Sequence, residues 1–235
     1  MSLDLPKIHA KEKKALLFLH GYMSSGKSFA YQTKFFSSYF TVYAPDLTGF
    51  GENEYMPYPF SLDDYAKWVK DYMTANGIVK PHIIAHSFGG RVAIKLSSTY
   101  PDLFDKIVLT GSAGLKPRRT AKYHFKRCAF KLLKPFVKKE KLKKFYSKDY
   151  LALNPVMKQS FNKIINEHLD DLLPKITNQT LIINGKDDTE TPLYTAKRLK
   201  RGIKNSQIFI IENAGHFCFI EKANLFNIIV REFLT

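Results

Sequence analysis

Hydrophobic residues in this chain occur in short runs rich in Ile, Val and Phe, separated by longer stretches that mix apolar and charged residues. The short runs show no alternation of polar and apolar positions, which is typical of strands buried on both faces of a parallel sheet. The longer stretches have the spacing of amphipathic helices. The pattern predicts six strands, at residues 15–20, 40–44, 82–86, 106–110, 180–184 and 207–211.

Helical patterns lie between and after these strands. The first begins at Ser61, and three others cover residues 88–100, 191–201 and 221–233. Ser61 and Asp64 have the spacing of a capping box at the start of the first helix. Strands that alternate with helices in this way indicate an α/β fold with a doubly wound, mostly parallel sheet. A chain of 235 residues with 45% hydrophobic content is long enough for one such domain.

The alternation of strands and helices stops within residues 113–173. This interval is helical in character, rich in lysine and interrupted by three prolines. Such a break between two strands indicates an insertion into the domain rather than a second independent domain. We therefore predict a core of residues 1–112 and 174–235 that is interrupted by a helical insertion at residues 113–173.

The net charge of +16 is concentrated in this insertion. Residues 113–150 contain fourteen Lys or Arg residues against two acidic residues. Nucleic-acid binding requires a continuous basic surface with groups that read or stack on bases. Charge confined to one segment therefore argues against a nucleic-acid partner.

Part of the insertion has the pattern of a basic amphipathic helix. In one interpretation its apolar stripe packs on the core and its lysines are merely solvated. In the other, the basic insertion binds an acidic partner, such as an acyl carrier protein, an anionic acyl group or a lipid headgroup surface. His124 and Arg91 are candidates for contact with an acidic substrate. The apolar residues at helical spacing are Phe125, Ala129, Leu132, Leu133 and Phe136.

The two cysteines, Cys128 and Cys218, have neither metal-ligand spacing nor the spacing of a disulfide framework, which indicates a reducing compartment. Residues 1–14 contain no apolar run long enough for a signal peptide, and no later segment reaches transmembrane length. We therefore expect a cytoplasmic protein that is not an integral membrane protein.

Residues 81–91 join a short apolar strand to a helical segment through Ser87. A serine hydroxyl is a weak nucleophile, so catalysis requires it on a tight strand-to-helix turn, within reach of a base and of backbone N–H groups. Small residues must flank such a turn, and Ala85 and Gly89 stand two positions before and after the serine. The G-x-S-x-G pattern holds except that alanine replaces its first glycine. Ser87 is the candidate nucleophile.

A second motif indicates a different chemistry. Residues 21–28 follow a predicted strand and fit the phosphate-loop pattern G-x-x-x-x-G-K-[ST], and Asp46 stands where a magnesium-binding acid would be expected. A pattern this short also occurs by chance, and nucleotide binding would leave Ser87, Asp188 and His216 without a role. A phosphate-loop nucleotide binder is therefore the remote alternative.

The His20-Gly21 pair at the end of the first predicted strand, together with the Ser87 turn, resembles the α/β-hydrolase family. Residues 46–53 resemble that family's D-x-x-G-x-G-x-S turn, with Asn53 in place of the final serine. The resemblance covers nearly the whole chain outside the insertion. It implies the family's fold, with residues 113–173 as a helical cap, or lid, over the active site.

The resemblance also implies the partners of Ser87. The family's oxyanion hole consists of two backbone N–H groups, which correspond here to those of Tyr22 and Phe88. Its catalytic acid stands three positions after a glycine at a strand end, which is Asp188 rather than its neighbour Asp187. Its histidine follows the last strand, as His216 does. The order Ser, Asp, His is the order of this family.

A serine hydrolase with an acyl-Ser87 intermediate is the function that this resemblance implies. His216 would act as the base and Asp188 would orient its imidazole, with no metal and no organic cofactor. A carboxylic ester is the expected small-molecule substrate. A thioester, an amide, a carbon–carbon bond and acyl transfer to an alcohol stay open. A hypothesis of a different class is a non-catalytic protein of this fold whose basic cap docks an acidic partner.

Overall fold

The computed structural model describes residues 13–118 and 148–235. All six predicted strands are present, with ends that differ from the prediction by at most one residue. They are β1 (Ala15–Leu19), β2 (Thr41–Tyr43), β3 (His82–His86), β4 (Ile107–Thr110), β5 (Thr180–Gly185) and β6 (Ser206–Ile211). They form one sheet in the order β2-β1-β3-β4-β5-β6, and every neighbouring pair is parallel. The prediction of a parallel α/β sheet is confirmed.

The helices in the described ranges are α1 (Ala30–Phe36), α2 (Leu62–Ala75), α3 (Phe88–Thr99), α4 (Lys148–Ala152), α5 (Pro155–Asn166), α6 (Leu193–Gly202), α7 (Cys218–Glu221) and α8 (Ala223–Leu234). Short 3₁₀ helices cover Gly26–Phe29 and Asp170–Lys175. The prediction of a single helix at residues 221–233 is wrong at its start. The backbone of Lys222 leaves the helical region with φ −128° and separates α7 from α8.

The capping box predicted at the start of α2 is confirmed. Ser61 Oγ accepts a hydrogen bond from the Asp64 N–H at 3.3 Å, and Asp64 Oδ2 accepts one from the Ser61 N–H at 2.7 Å. These reciprocal bonds satisfy two backbone donors at the helix start. They fix the residue at which the chain enters α2.

Helices cover both faces of the sheet, and this explains the absence of alternation in the strand sequences. Successive side chains of a strand point to opposite faces. Leu17 and Leu19 of β1 pack in the cluster that includes residues of α2, α3 and α6. Leu16 and Phe18 pack in a second cluster with residues of α1 and α8. Both faces are apolar, so nearly every strand position must be apolar.

All six strands run in the same direction, so their carboxyl ends lie at one edge of the sheet. Ser87 directly follows β3, Asp188 lies three residues after β5, and His216 lies five residues after β6. In parallel α/β sheets, ligands bind at this edge. The topology therefore brings together residues that are more than a hundred positions apart in the sequence.

Only part of the predicted insertion belongs to the described residues, namely residues 113–118 and 148–173, with α4 and α5. The predicted basic amphipathic helix, with His124 and Cys128, lies outside them, as do residues 1–12. The division into core and cap, and the binding of an acidic partner by the cap, stay predictions. Within the two described ranges, no helix is long and apolar enough to cross a membrane.

Strand β3 begins and ends with a buried histidine. His82 is 3% exposed and His86 is 2% exposed. Burial lowers the pKa of His82 to about 4. Burial, with a further contribution from the nearby His216, lowers the pKa of His86 to about 3. Both side chains are therefore neutral in the folded protein at pH 5, whereas an unfolded chain protonates its histidines near pH 6.5.

We predict that the free energy of unfolding decreases between pH 7 and pH 5, by up to about 2 kcal/mol for each of these histidines. The sign follows because the unfolded chain binds protons that the folded chain does not bind. Replacing His82 or His86 by Gln should remove one such contribution. Urea unfolding of wild type and each variant at both pH values measures it, and an equal pH-dependent loss in all three proteins would contradict the prediction.

Candidate active site

Ser87 connects β3 to α3 with an unusual backbone conformation. Its φ of 50° and ψ of −107° lie where residues with a side chain are strained. Three backbone hydrogen bonds of 3.1 Å hold it there: the Ser87 N–H donates to Thr110 O, and the N–H groups of Gly90 and Ala113 donate to Ser87 O. The turn therefore has the strained geometry that the sequence motif predicts for a nucleophile.

The small residues around Ser87 have different roles. A Cβ atom on Gly89 would lie 2.2 Å from Leu19 O, so only glycine lets α3 approach the end of β1 this closely. Ala85, by contrast, is a regular residue of β3, fully buried and paired in register with Leu19 and Leu109. Ala85 is not one of the described residues that have a positive φ. The alanine that departs from the motif is therefore accommodated by the sheet.

Asp188 and His216 lie in direct contact. Asp188 Oδ2 is 2.9 Å from His216 Nδ1 and also accepts a hydrogen bond of 2.7 Å from Thr191 Oγ1. Asp188 Oδ1 accepts bonds from the backbone N–H groups of Glu190 at 2.9 Å and Thr191 at 2.8 Å. Each carboxylate oxygen thus has two hydrogen-bond partners, and the side chain is fully buried.

These bonds set the charge of the pair. Burial alone raises the pKa of the Asp188 carboxyl, but the hydrogen bonds from His216 and Thr191 outweigh it and hold that pKa below its ordinary value. An ionised carboxylate only accepts, so His216 Nδ1 carries the proton, and in the neutral imidazole Nε2 keeps its lone pair. The neighbouring Asp187 is exposed, and its N–H donates to Ala214 O.

A glycine contact brings the His216 loop close to β5. A Cβ atom on Gly185 would lie 2.2 Å from Gly215 O, so a larger residue would displace the loop. The loop also turns through Asn213, which has a φ of 53°. Glu221 Oε2 then accepts a hydrogen bond of 2.8 Å from the Gly215 N–H. These features fix the backbone on which His216 is carried.

His86 contacts His216, and no sequence motif indicated a role for it. Its Nε2–H donates to His216 O at 3.1 Å, and the two ring centroids are 4.6 Å apart. The Phe219 ring packs on its other side at 4.8 Å. A histidine at the end of an otherwise apolar strand is the signal that could have identified this residue.

His20 is a second neutral histidine that links loops at this edge. Its Nδ1–H donates to Gly21 O at 2.7 Å, and its Nε2 accepts a bond of 2.9 Å from the Leu47 N–H. The residue is fully buried, and burial lowers its pKa. His20 therefore ties the loop after β1 to the loop after β2.

Two unpaired backbone donors belong to the residues predicted for the oxyanion hole. Within residues 13–118 and 148–235, neither the Tyr22 N–H nor the Phe88 N–H donates to another residue. A Cβ atom on Gly21 would lie 3.6 Å from Ser87 Cβ, so the loop after β1 reaches the nucleophile turn. No hydrogen bond joins Ser87 Oγ to His216 in the same ranges. Catalytic hydrogen bonds are often long without a substrate.

The residues of the phosphate-loop pattern are engaged in a contact between two loops. Asp46 Oδ1 accepts from the Gly26 N–H at 2.6 Å, and Asp46 Oδ2 accepts from the Glu52 N–H at 2.8 Å. Lys27 Nζ forms an exposed ion pair with Glu52 at 2.7 Å. A phosphate would need the Gly26 N–H, which already donates to the Asp46 carboxylate, and that carboxylate would repel a phosphate. The pattern is accounted for by loop structure.

The expected contact of Arg91 with an acidic substrate is wrong. The side chain is buried, and its Nη1 donates to Ile164 O and Glu167 O, both at 2.9 Å, at the C-terminal end of α5. Burial lowers the pKa of the guanidinium to about 10, so it stays charged at neutral pH. Lys95 is held in the same way, by Asp63 and Glu167 at 2.9 Å. Both cations of α3 therefore fasten other elements to the helix.

Cys218 has no features of a reactive thiol. It is fully buried, its Sγ lies 3.4 Å from Thr110 Oγ1, and burial raises its pKa to about 11. A thiol with such a pKa is protonated and unreactive at neutral pH. In the part of the chain that the structure describes, no group of three His, Cys, Asp or Glu residues is placed to hold a metal ion.

Comparisons with known proteins identify the relatives of this chain. The chain matches a family model described as alpha/beta hydrolase fold over residues 14–127 and one described as TAP-like protein over residues 161–235. A 2-hydroxymuconate semialdehyde hydrolase of Pseudomonas putida is 28% identical over 220 residues, which cover 83% of this chain and 76% of that protein.

Solved structures of hydrolases share the fold of this chain. A meta-cleavage product hydrolase from Pseudomonas fluorescens IP01 has a TM-score of 0.72 at 26% identity, and the match covers 95% of this chain and 91% of that chain. An esterase from Exiguobacterium antarcticum shares the fold, with a TM-score of 0.74 at 20% identity and coverage of 94% and 92%. Hydrolase is the activity class that these matches support, and the chain belongs to the α/β-hydrolase superfamily.

Proposed function

We propose that this protein cleaves a carboxylic ester with Ser87 as its nucleophile, His216 as the general base and acid, and Asp188 as the residue that orients the imidazole. The observation that carries the proposal is the hydrogen bond of 2.9 Å between Asp188 and His216 at the same sheet edge as the strained Ser87 turn. A strained serine, an oriented imidazole and unpaired N–H donors at one edge are the parts that acyl transfer requires.

The reaction follows from the charge state of the pair. Ser87 Oγ attacks the ester carbonyl carbon while its proton moves to the free Nε2 of His216, and the Asp188 carboxylate stabilises the imidazolium. The carbonyl oxygen becomes an oxyanion that the Tyr22 and Phe88 N–H groups stabilise. The C–O bond to the alcohol then breaks, and His216 returns the proton to the leaving oxygen. Water repeats the sequence on the acyl-enzyme and releases the acid.

A carbon–carbon bond hydrolase is the second candidate. The relative from Pseudomonas putida is named for a muconate semialdehyde, a compound without an ester or amide group, so its hydrolysis breaks a carbon–carbon bond. Such a substrate also carries a carboxylate, and its binding requires a cation in the site. On α3, Arg91 and Lys95 are already engaged. This candidate therefore requires cations from elsewhere, and residues 113–150 are the basic segment of the sequence.

Labelling with a fluorophosphonate tests the nucleophile. We expect wild-type protein to be labelled on Ser87, because the reagent requires an activated serine and forms a phosphonate whose oxygen occupies the oxyanion hole. Ser87→Ala should abolish labelling without loss of fold. Intact mass and circular dichroism measure both. A folded wild-type protein that remains unlabelled would refute the proposal and favour a non-catalytic, partner-binding role.

The neighbouring carboxylates provide a matched pair of variants. Asp188→Asn should lower kcat by about 10⁴, because the amide supports the wrong tautomer of His216. Asp187→Asn is the control and should retain wild-type kcat, because that side chain is exposed. Steady-state kinetics on p-nitrophenyl butyrate measures both. Equal losses in the two variants, or a larger loss at Asp187, would show that the acid is assigned to the wrong residue.

A substrate panel separates ester from carbon–carbon cleavage. We expect p-nitrophenyl esters of graded acyl length to be turned over with a higher kcat/KM than a 2-hydroxy-6-oxo-dienoate, whose disappearance is followed by its absorbance. The esters are neutral and need no cation beside Ser87. A dienoate kcat/KM above that of every ester would reverse the assignment while leaving the nucleophile unchanged.

A further inference from the structure

Helix α5 is fastened to the loop that carries one candidate oxyanion donor. Tyr22 Oη donates a hydrogen bond of 3.1 Å to Met157 O in the first turn of α5. The Tyr22 ring packs edge-on against Phe161 of the same helix, with centroids 5.1 Å apart, and against Phe88 at 5.3 Å. Burial raises the pKa of the Tyr22 hydroxyl, so it is a protonated donor throughout the neutral range.

The other end of α5 is fastened to the helix that carries the second donor. Arg91 lies four residues after Ser87 on α3 and donates to Ile164 O and Glu167 O. Carbonyl groups at a helix C-terminus lack partners within the helix, and a cation there is favourable. The ion pair between Lys95 and Glu167 adds a second connection at this end.

The Tyr22 backbone has few other constraints. His20 and Gly26 on either side are held by hydrogen bonds to Leu47 and Asp46. Among the described residues, the Tyr22 N–H has no partner, and the segment between His20 and Gly26 contains no helix or strand. The side chain of Tyr22 is therefore the anchor at the middle of this loop.

We propose that Tyr22 is a positioning residue whose side chain fixes the position of its own backbone N–H. Helix α5 holds the loop after β1 through the Tyr22 hydroxyl, and it holds the start of α3 through Arg91. The helix thereby fixes the separation of the two oxyanion donors. This inference rests on the proposed function. A donor acts only when it lies 2.7–3.1 Å, the usual range, from the position of the oxyanion. A displacement of about 1 Å in such a site costs up to roughly a hundredfold in rate.

Tyr22→Phe tests the inference, because it keeps the ring contacts and the backbone N–H and removes only the hydroxyl. We expect kcat for p-nitrophenyl butyrate to fall roughly tenfold while KM stays within about twofold of wild type. The rate of fluorophosphonate labelling should fall by the same factor, since that reaction also uses the oxyanion hole. The pH dependence of kcat/KM should not move, because His216 and Asp188 are untouched.

Two control variants separate positioning from general destabilisation. Tyr65→Phe removes another buried tyrosine hydroxyl, which donates to Thr48 O at 2.9 Å. Lys163→Met removes a hydrogen bond of 2.7 Å from α5 to Pro59 O. Both should keep kcat within about twofold of wild type. Equal losses in Tyr22→Phe and either control would overturn the inference, and so would a wild-type kcat in Tyr22→Phe.

Arg91→Lys tests the other end of α5 and applies also if Tyr22→Phe does not fold. It keeps the charge but loses the planar donor group that reaches two carbonyls. We expect a lower kcat at nearly unchanged KM, and an unchanged kcat would overturn the inference. Wild-type protein that is not labelled on Ser87 would refute the proposed function and this inference together. Labelled wild type with normal labelling of Tyr22→Phe would refute the inference alone.

Discussion

The left-handed backbone of Ser87, with a φ of 50°, is the constraint on which the arrangement of this site depends. The conformation is unfavourable for a residue with a side chain and persists only where its surroundings enforce it. Here the enforcement comes from the parallel sheet: β4 supplies the carbonyl that accepts from the Ser87 N–H, and the close packing of Gly89 on Leu19 sets the direction of α3. Among the described residues, four residues other than glycine have a positive φ, and three of them, Met23, Ser87 and Asn213, lie in loops at this edge.

Neutral histidines complete the site around this turn. His20 and His86 are held neutral by burial, and each uses a ring N–H to hold a backbone carbonyl. His216 differs because it faces the ionised Asp188 and is partly exposed. A charged His86 would repel an imidazolium on His216, so its low pKa is compatible with the proposed proton transfer. Burial thus separates two structural histidines from His216, the proposed catalytic base.

Several parts of the fold and of the candidate site could be predicted from the sequence. The strands were identifiable because burial on both faces requires continuous apolar runs. Ser87, Asp188 and His216 could be named as candidates because each stands at a strand end in a motif that resembles the α/β-hydrolase family. The resemblance to the α/β-hydrolase family favoured Asp188 over Asp187 through its offset from Gly185, and the structure places Asp188 against His216. The division of residues 221–233 at Lys222 was missed, because a helical pattern does not reveal a backbone break between two short helices.

The sequence by itself determined the α/β class, the chain positions of the strands and the candidate residues for acyl transfer, because these depend on local periodicity and short motifs. Only the tertiary structure decided what the polar residues between them contact. Arg91 looked available to an acidic substrate, and His86 had no assigned role. Their partners, Ile164 and His216, are 73 and 130 residues away in the sequence. Contacts over such separations arise from how the strands and helices pack, which no local pattern records.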